Sequence, residues 1–300
     1  MDANSILQMI QESYVGYWNY LKNEILFSYQ YKPWYENYFY GLVLLSLFTW
    51  SLEILFPWRK NQALFRKDFW LDLFYVFFNF FLFSLVLYNA LSNVGVELWN
   101  QILNAFGLTN IVALKLYEFP KWVQYLIIFI VADFIQWNVH RMLHRVPWMW
   151  KFHKVHHSVE EMGFAAHLRF HWMETIIYKT CQYIPLAMIG VSIEDFFIVH
   201  MIALSIGHLN HANLNLTYGP FKYLLNNPVM HLWHHAKQLP AGSYGVNYGI
   251  SLSLWDYIFK TNYIPKRNAD VVLGFDKIES YPTTFLEQMK HPFFKKKQNS

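Results

Sequence analysis

The spacing of the histidines constrains this chain more than any other feature. Fourteen are present, and thirteen fall between His140 and His235. HRMLH sets His140 and His144 at i and i+4, and HKVHH sets His153, His156 and His157 at i, i+3 and i+4. HLNH sets His208 and His211 at i and i+3, and HLWHH repeats the three-histidine pattern at His231, His234 and His235. On a helix such spacings stack side chains along one face. One tetrahedral zinc takes four ligands. The ten imidazoles of these four sets are about five for each of two metals. Neutral imidazole suits zinc, copper, iron and nickel. Without metal the crowding would bring only repulsion whenever the rings protonate.

Composition says where such a site sits. Hydrophobic residues make up 55% of the chain and charged residues 15%, against roughly 25% charged in an average soluble domain. Apolar runs at 38–57, 69–91 and 122–139 each approach the roughly 20 residues that a helix needs to cross a bilayer. The expectation is an all-α protein with multi-pass transmembrane helices and a cytoplasmic-side helical cap that holds a histidine-rich dimetal site. Residues 1–36, with Trp18 and Trp34, read as an interfacial helix and linker. Arg59, Lys60, Arg66 and Lys67 crowd the loop between the first two runs, which places that loop, and the histidines, on the cytoplasmic side. Residues 92–120 are expected as an outer loop with a partly buried hairpin, and 172–190 with 193–210 as a helical hairpin entering from the cytoplasm. The division is 1–120 for N-terminal helices, 121–265 for the catalytic region and 266–300 for a polar tail.

Other classes are disfavoured. The formal charge is only +4, and its basic residues lie in short clusters beside apolar runs, so no nucleic-acid partner is expected. A single cysteine, Cys181, excludes an internal disulfide and a cysteine-ligated iron–sulfur cluster. The MDANSILQ start does not read as a signal peptide. The main alternative is a non-catalytic membrane protein, either a metal transporter or a haem carrier. A transporter should spread ligands through its spans, and a bis-histidine haem needs only two axial ligands. A zinc hydrolase is less favoured, because HExxH is absent.

The ordered set HRMLH, WKFHKVHHS, HLNHAN, NNPVMHLWHH and NYGISLSLWDYIFKT resembles the fatty acid hydroxylase and sterol desaturase superfamily over about residues 121–262. Lys260 stands where the last of these stretches usually has glycine. The resemblance implies a membrane di-iron enzyme that uses O2 to hydroxylate or desaturate a lipid such as a sterol, fatty acyl chain or alkylglycerol. It implies that His140, His144, His153, His156, His157, His208, His211, His231, His234 and His235 bind the metals, His211 more surely than His208. Zinc would compete for the same nitrogens during purification. Groups behind the ligands tune such sites, and Asp133, His171, Glu174, Asn247 and Asp256 are the candidates. Trp255 reads as packing, His167 and His200 as ordinary buried histidines, and His291 as solvated. No GxGxxG loop or CxxCH motif is present, so an external donor, a separate electron-transfer protein, is implied. A multi-pass protein of a bacterial inner membrane or the endoplasmic reticulum is expected.

Overall fold

A computed structural model describes residues 3–84, 89–108, 112, 114–264 and 270–294. Among the described residues every named element is helical, and extended pairing is limited to isolated bridges such as Pro57 with Leu214. The α-helices are α1 (Ala3–Lys22), α2 (Tyr38–Leu55), α3 (Phe69–Phe77), α4 (Asn89–Ala105), α5 (Lys121–Arg145), α6 (Pro147–His157), α7 (Trp172–Met188), α8 (Ile193–His211), α9 (Pro228–His234), α10 (Leu254–Ile258) and α11 (Phe285–Lys290).

The histidine-bearing helices start where local chemistry dictates. Pro147 and Pro228 occupy first-turn positions of α6 and α9, where a missing N–H costs nothing. Asn227 caps α9 by accepting the Met230 N–H at 3.0 Å, and Ser192 caps α8 by accepting the Asp195 N–H at 3.1 Å. For a helix of only seven residues, such as α9, the cap fixes where its histidines point. At the centre, α5 packs on α6, α7 and α8. Ile128, Ala132, Leu186 and Val199 are buried between α5, α7 and α8. A second core joins α2 and α3 to Phe164, Leu168, Leu204 and Leu214.

Among the described residues two helices, α2 and α5, are long and apolar enough to cross a membrane. Only 11% of α2's apolar window is buried, so Leu44, Leu47 and Phe48 present an uncovered hydrocarbon face. The expected second span, 69–91, is described only in part. Phe69–Leu82 is an apolar helix but a short one, α3 passing into a π-helical turn at Phe78–Leu82, and residues 85–88 lie outside the described residues. Within 92–120, a helix replaces part of the expected loop: α4 begins at Asn89 and packs against α1. The segment 270–294 is no free tail. Phe285 wedges among Phe74, Tyr75 and Phe78, and the Tyr75 hydroxyl donates to Gln288 at 2.6 Å. The lysines 295–297 lie outside the described residues.

The N-terminal helices are fastened to the histidine region. Half-buried Glu53, near the end of α2, accepts the N–H groups of Phe164 at 2.9 Å and Asn213 at 2.7 Å. Arg59 donates its side chain to the Met162 carbonyl at 2.6 Å and its backbone N–H to Asn213 at 2.9 Å. The basic loop after α2 therefore abuts the histidine-bearing end of the molecule. Exposed Asn61 and Gln238 should accordingly share one side of the membrane. In a Cys181→Ser background, Asn61→Cys and Gln238→Cys are expected to react with an impermeant maleimide from the same face of sealed vesicles. Labelling from opposite faces would break the topology.

Candidate metal centre

The C-terminal turns of α5, the whole of α6, the end of α8 and α9 converge so that nine histidines form two buried groups. His140, His144, His153, His157 and His234 make the first, and His156, His211, His231 and His235 the second. Within each group the nearest ring nitrogens all lie within 4.8 Å of one another. Helical phase explains the partition. Residues four apart project together, so His140 with His144, His153 with His157, and His231 with His235 each serve one group. The remaining histidine of each HxxHH helix crosses over: His156 joins the second group and His234 the first. The groups adjoin, with the rings of His157 and His235 stacked at 4.4 Å.

Outer contacts fix which nitrogen carries the proton in five of the nine rings. A carbonyl can only accept, so the Nδ1–H of His140 donates to Tyr248 at 2.6 Å, that of His156 to Arg169 at 3.1 Å, that of His211 to Gly207 at 2.8 Å and that of His234 to Val246 at 2.8 Å. His153 Nδ1–H donates to the Glu174 carboxylate at 2.7 Å. In neutral rings the Nε2 atoms are then bare lone pairs, yet they face one another. His140 and His153 approach at 3.1 Å, and His156 and His211 at 3.3 Å, between Nε2 atoms. His234 Nε2 is buried with no hydrogen-bond partner. Protonation is not the remedy. Burial, then neighbouring histidines, holds His153, His157, His231 and His235 well below the usual imidazole range.

A cation is the remedy. Metal–nitrogen bonds of about 2.1 Å put adjacent ligand atoms roughly 3.0 Å apart at right angles and about 3.4 Å apart in a tetrahedron. The close Nε2 pairs, from 3.0 Å for His211 and His231 to 3.3 Å for His231 and His235, fall in that window. The donor set is entirely imidazole, and the residues fit a metal in each group.

The supporting residues lie one layer out. Asp256 accepts the N–H groups of Tyr248 and Gly249 at 3.0 and 2.8 Å and the Trp137 indole at 3.0 Å. It thereby fixes the carbonyl that holds His140. Asp133 takes the N–H groups of Ser251 and Leu252 and the Trp255 indole farther along the same loop. Asn247 has φ of 51°, a left-handed conformation that asparagine tolerates. Its amide donates to Met230 and Tyr263 carbonyls, both at 2.9 Å, tying the loop to α9. Gly249 admits no side chain, since a Cβ would collide with the Leu252 carbonyl. His171 touches neither group. Its Nε2–H donates to the Met289 carbonyl at 2.9 Å, and its backbone N–H reaches Glu174.

His208 also lies outside both groups. Its Nδ1 meets His167 Nδ1 at 2.9 Å, and its Nε2 lies 3.4 Å from the Ser46 hydroxyl on α2. Three residues advance a helix about 300°, leaving His208 about 60° off the His211 direction, and here that turns it away. His167, expected as an ordinary buried histidine, packs its ring on His211 at 5.0 Å. Sequence reasoning missed Arg169, whose buried guanidinium is gripped by Asp68, Asp72 and the Ser158 hydroxyl while its carbonyl holds His156. An arginine in so apolar a stretch was the available signal.

Two outcomes are expected from metal analysis of purified variants. His157→Ala should lose the metal of the first group and keep that of the second, whereas His208→Ala and His171→Ala should keep both. Glu174→Gln, which preserves shape but removes the charge behind His153, should weaken metal binding roughly 10–100-fold in chelator competition. Unchanged affinity would remove Glu174 from this role.

Residues 125–261 match the family model described as fatty acid hydroxylase. Ornithine lipid hydroxylase OlsE of Rhizobium tropici is 30% identical over 179 residues, which cover 60% of this chain and 53% of that protein. Alkylglycerol monooxygenase of Xenopus tropicalis is 30% identical over 165 residues, 51% of this chain and 34% of its own length. The human alkylglycerol monooxygenase is 31% identical over 168 residues, 55% and 35% of the two chains. The matches thus span about half the length of the first of these relatives and about a third of the other two. No solved structure matches. The histidine groups lie within the matched segment, and that segment is similar to a fatty acid hydroxylase domain.

Proposed function

We propose that the protein is a membrane-bound, O2-dependent oxidoreductase in which the nine grouped histidines hold two iron ions and a lipid is hydroxylated, or desaturated, beside them. The observation that carries this reading is the pair of adjoining, buried, all-imidazole groups whose lone pairs face inward. Zinc does not change oxidation state, and the relatives are named as a hydroxylase and as monooxygenases. Bound iron would supply the electrons and the O2 activation that attack on a carbon–hydrogen bond requires.

The chain's own part is positional. Carbonyls of Tyr248, Val246, Arg169 and Gly207 hold protons on the outer nitrogens and leave the inner ones free. Glu174 supplies a carboxylate behind His153 that raises the ring's basicity. Burial of all nine rings keeps bulk water from the reacting carbon. A separate electron-transfer protein would deliver electrons from outside. In this reading α2, α5 and flanking apolar helices anchor the chain in several passes, with the histidines facing the cytoplasm. The substrate is a lipid of the kind the relatives' names describe, an amino-acid or alkylglycerol lipid, within a class that also includes sterols and fatty acyl chains.

Isotope labelling tests it. Iron-loaded protein supplied with reductant and 18O2 should place one heavy oxygen in a hydroxylated lipid, and H2 18O should place none. His231→Ala should form no product above background. Heavy oxygen derived from water, or turnover without O2, would make the protein a hydrolase instead.

A further inference from the structure

The two histidine groups are not equally enclosed. A cavity of about 250 Å³ is walled by His144, His157 and His234, all of the first group, and by no member of the second. Its outer wall carries Lys154, Lys237, Tyr244 and Phe275. By volume it holds the equivalent of about eight waters, enough for a lipid head but not for a long acyl chain. Its lining mixes Trp150, Leu239 and Phe275 with ammonium groups and ring nitrogens, and hydrocarbon filling it would leave those polar groups dry.

The charges on the wall are specific. Lys154 Nζ lies over the Phe275 ring, 5.0 Å from its centroid, and has no carboxylate partner among the described residues. Lys237 is paired with exposed Glu279 at 3.2 Å. Arg145 sits over Tyr244, with 5.6 Å to the ring centroid. Asp276 is the one acid among the described residues of the lining. The wall therefore keeps a surplus of positive charge, and Lys154 is the ammonium left without a counter-ion. Lys154 and His157 are three residues apart on α6, a rise of about 4.5 Å. An anion on Lys154 would stand about one helical turn from the first histidine group.

We propose that this cavity seats the anionic oxygen group of a lipid head, phosphate or carboxylate, with Lys154 as its counter-ion. Oxidation then falls within a few bonds of the head and not far along an acyl chain. The inference rests on the reading of the protein as a lipid oxygenase, but its test needs neither turnover nor iron.

The full chain in uncharged maltoside micelles is treated with an amine-acetylating reagent, and Lys154 is compared by mass spectrometry with exposed Lys151 on the same helix. Dioleoyl phosphatidic acid should protect Lys154 several-fold and leave Lys151 unchanged, while dioleoylglycerol and inorganic phosphate should protect neither. Lys154→Gln should bind phosphatidic acid roughly tenfold more weakly, the loss of one charge-assisted hydrogen bond, and Lys154→Arg should restore it. Equal labelling under all conditions overturns the proposal. Protection by dioleoylglycerol removes the need for an anion, and protection by inorganic phosphate alone makes the cavity a site for a soluble ion; either result overturns it too. Failure of the isotope experiment with the footprint intact would fault the oxygenase reading and leave the head-group site standing.

Discussion

Unprotonated imidazole nitrogens face one another across a few ångströms in a buried space, and the rest of the structure is arranged around that contact. In an isolated protein it would be unfavourable. Each nitrogen has lost its hydrogen bond to water, and in the facing pairs His140–His153 and His156–His211, whose outer nitrogens hold the protons, neither can donate to the other. Protonating one ring would answer the geometry but would bury a charge among other imidazoles. A metal cation removes both difficulties together, which is why binding, orientation and burial are coupled here. The carbonyls behind His140, His156, His211 and His234 exclude the tautomer that would spoil the arrangement.

Seen from that contact, the remaining residues divide by what they hold still. Asp256, Asp133 and Asn247 build one loop, which offers two carbonyls to two helices that carry the first group. Arg169, clamped by acids from and just before α3, offers another to α6. Glu53 joins α2 to the backbone that follows α6 and to the backbone that follows α8. Charged side chains buried far from any obvious chemistry thus act on the site through backbone. In the buried pair of Arg169 with Asp72, removing one partner leaves an uncompensated buried charge, a loss of about 3–5 kcal/mol, so these positions bear on stability and on geometry at once.

Much of the site was legible because helical spacing is a short-range property. The i, i+3, i+4 pattern of HKVHH and HLWHH specifies a common face wherever the helix lies. The sequence could not state how each triplet would divide between two groups, since that depends on the crossing of α6 and α9. His208 marks the limit of the argument: its spacing from His211 permits convergence, and tertiary contacts with His167 and Ser46 decide otherwise. Asp133 and Asp256 could be suspected as acids in apolar surroundings, but their targets are backbone N–H groups, which carry no sequence signature. Helix existence was similarly readable and helix extent was not. The apolar run at 69–91 has the composition of a span, yet its helix passes into a π-turn after α3, and composition does not encode that change of hydrogen bonding.

X-ray absorption at the iron edge of the loaded protein tests the central claim most directly. The account predicts two iron ions per chain, each with a nearest shell of nitrogen at about 2.1 Å and multiple-scattering features of imidazole, with no sulfur. A single metal, a shell dominated by oxygen, or the signature of a porphyrin would contradict it.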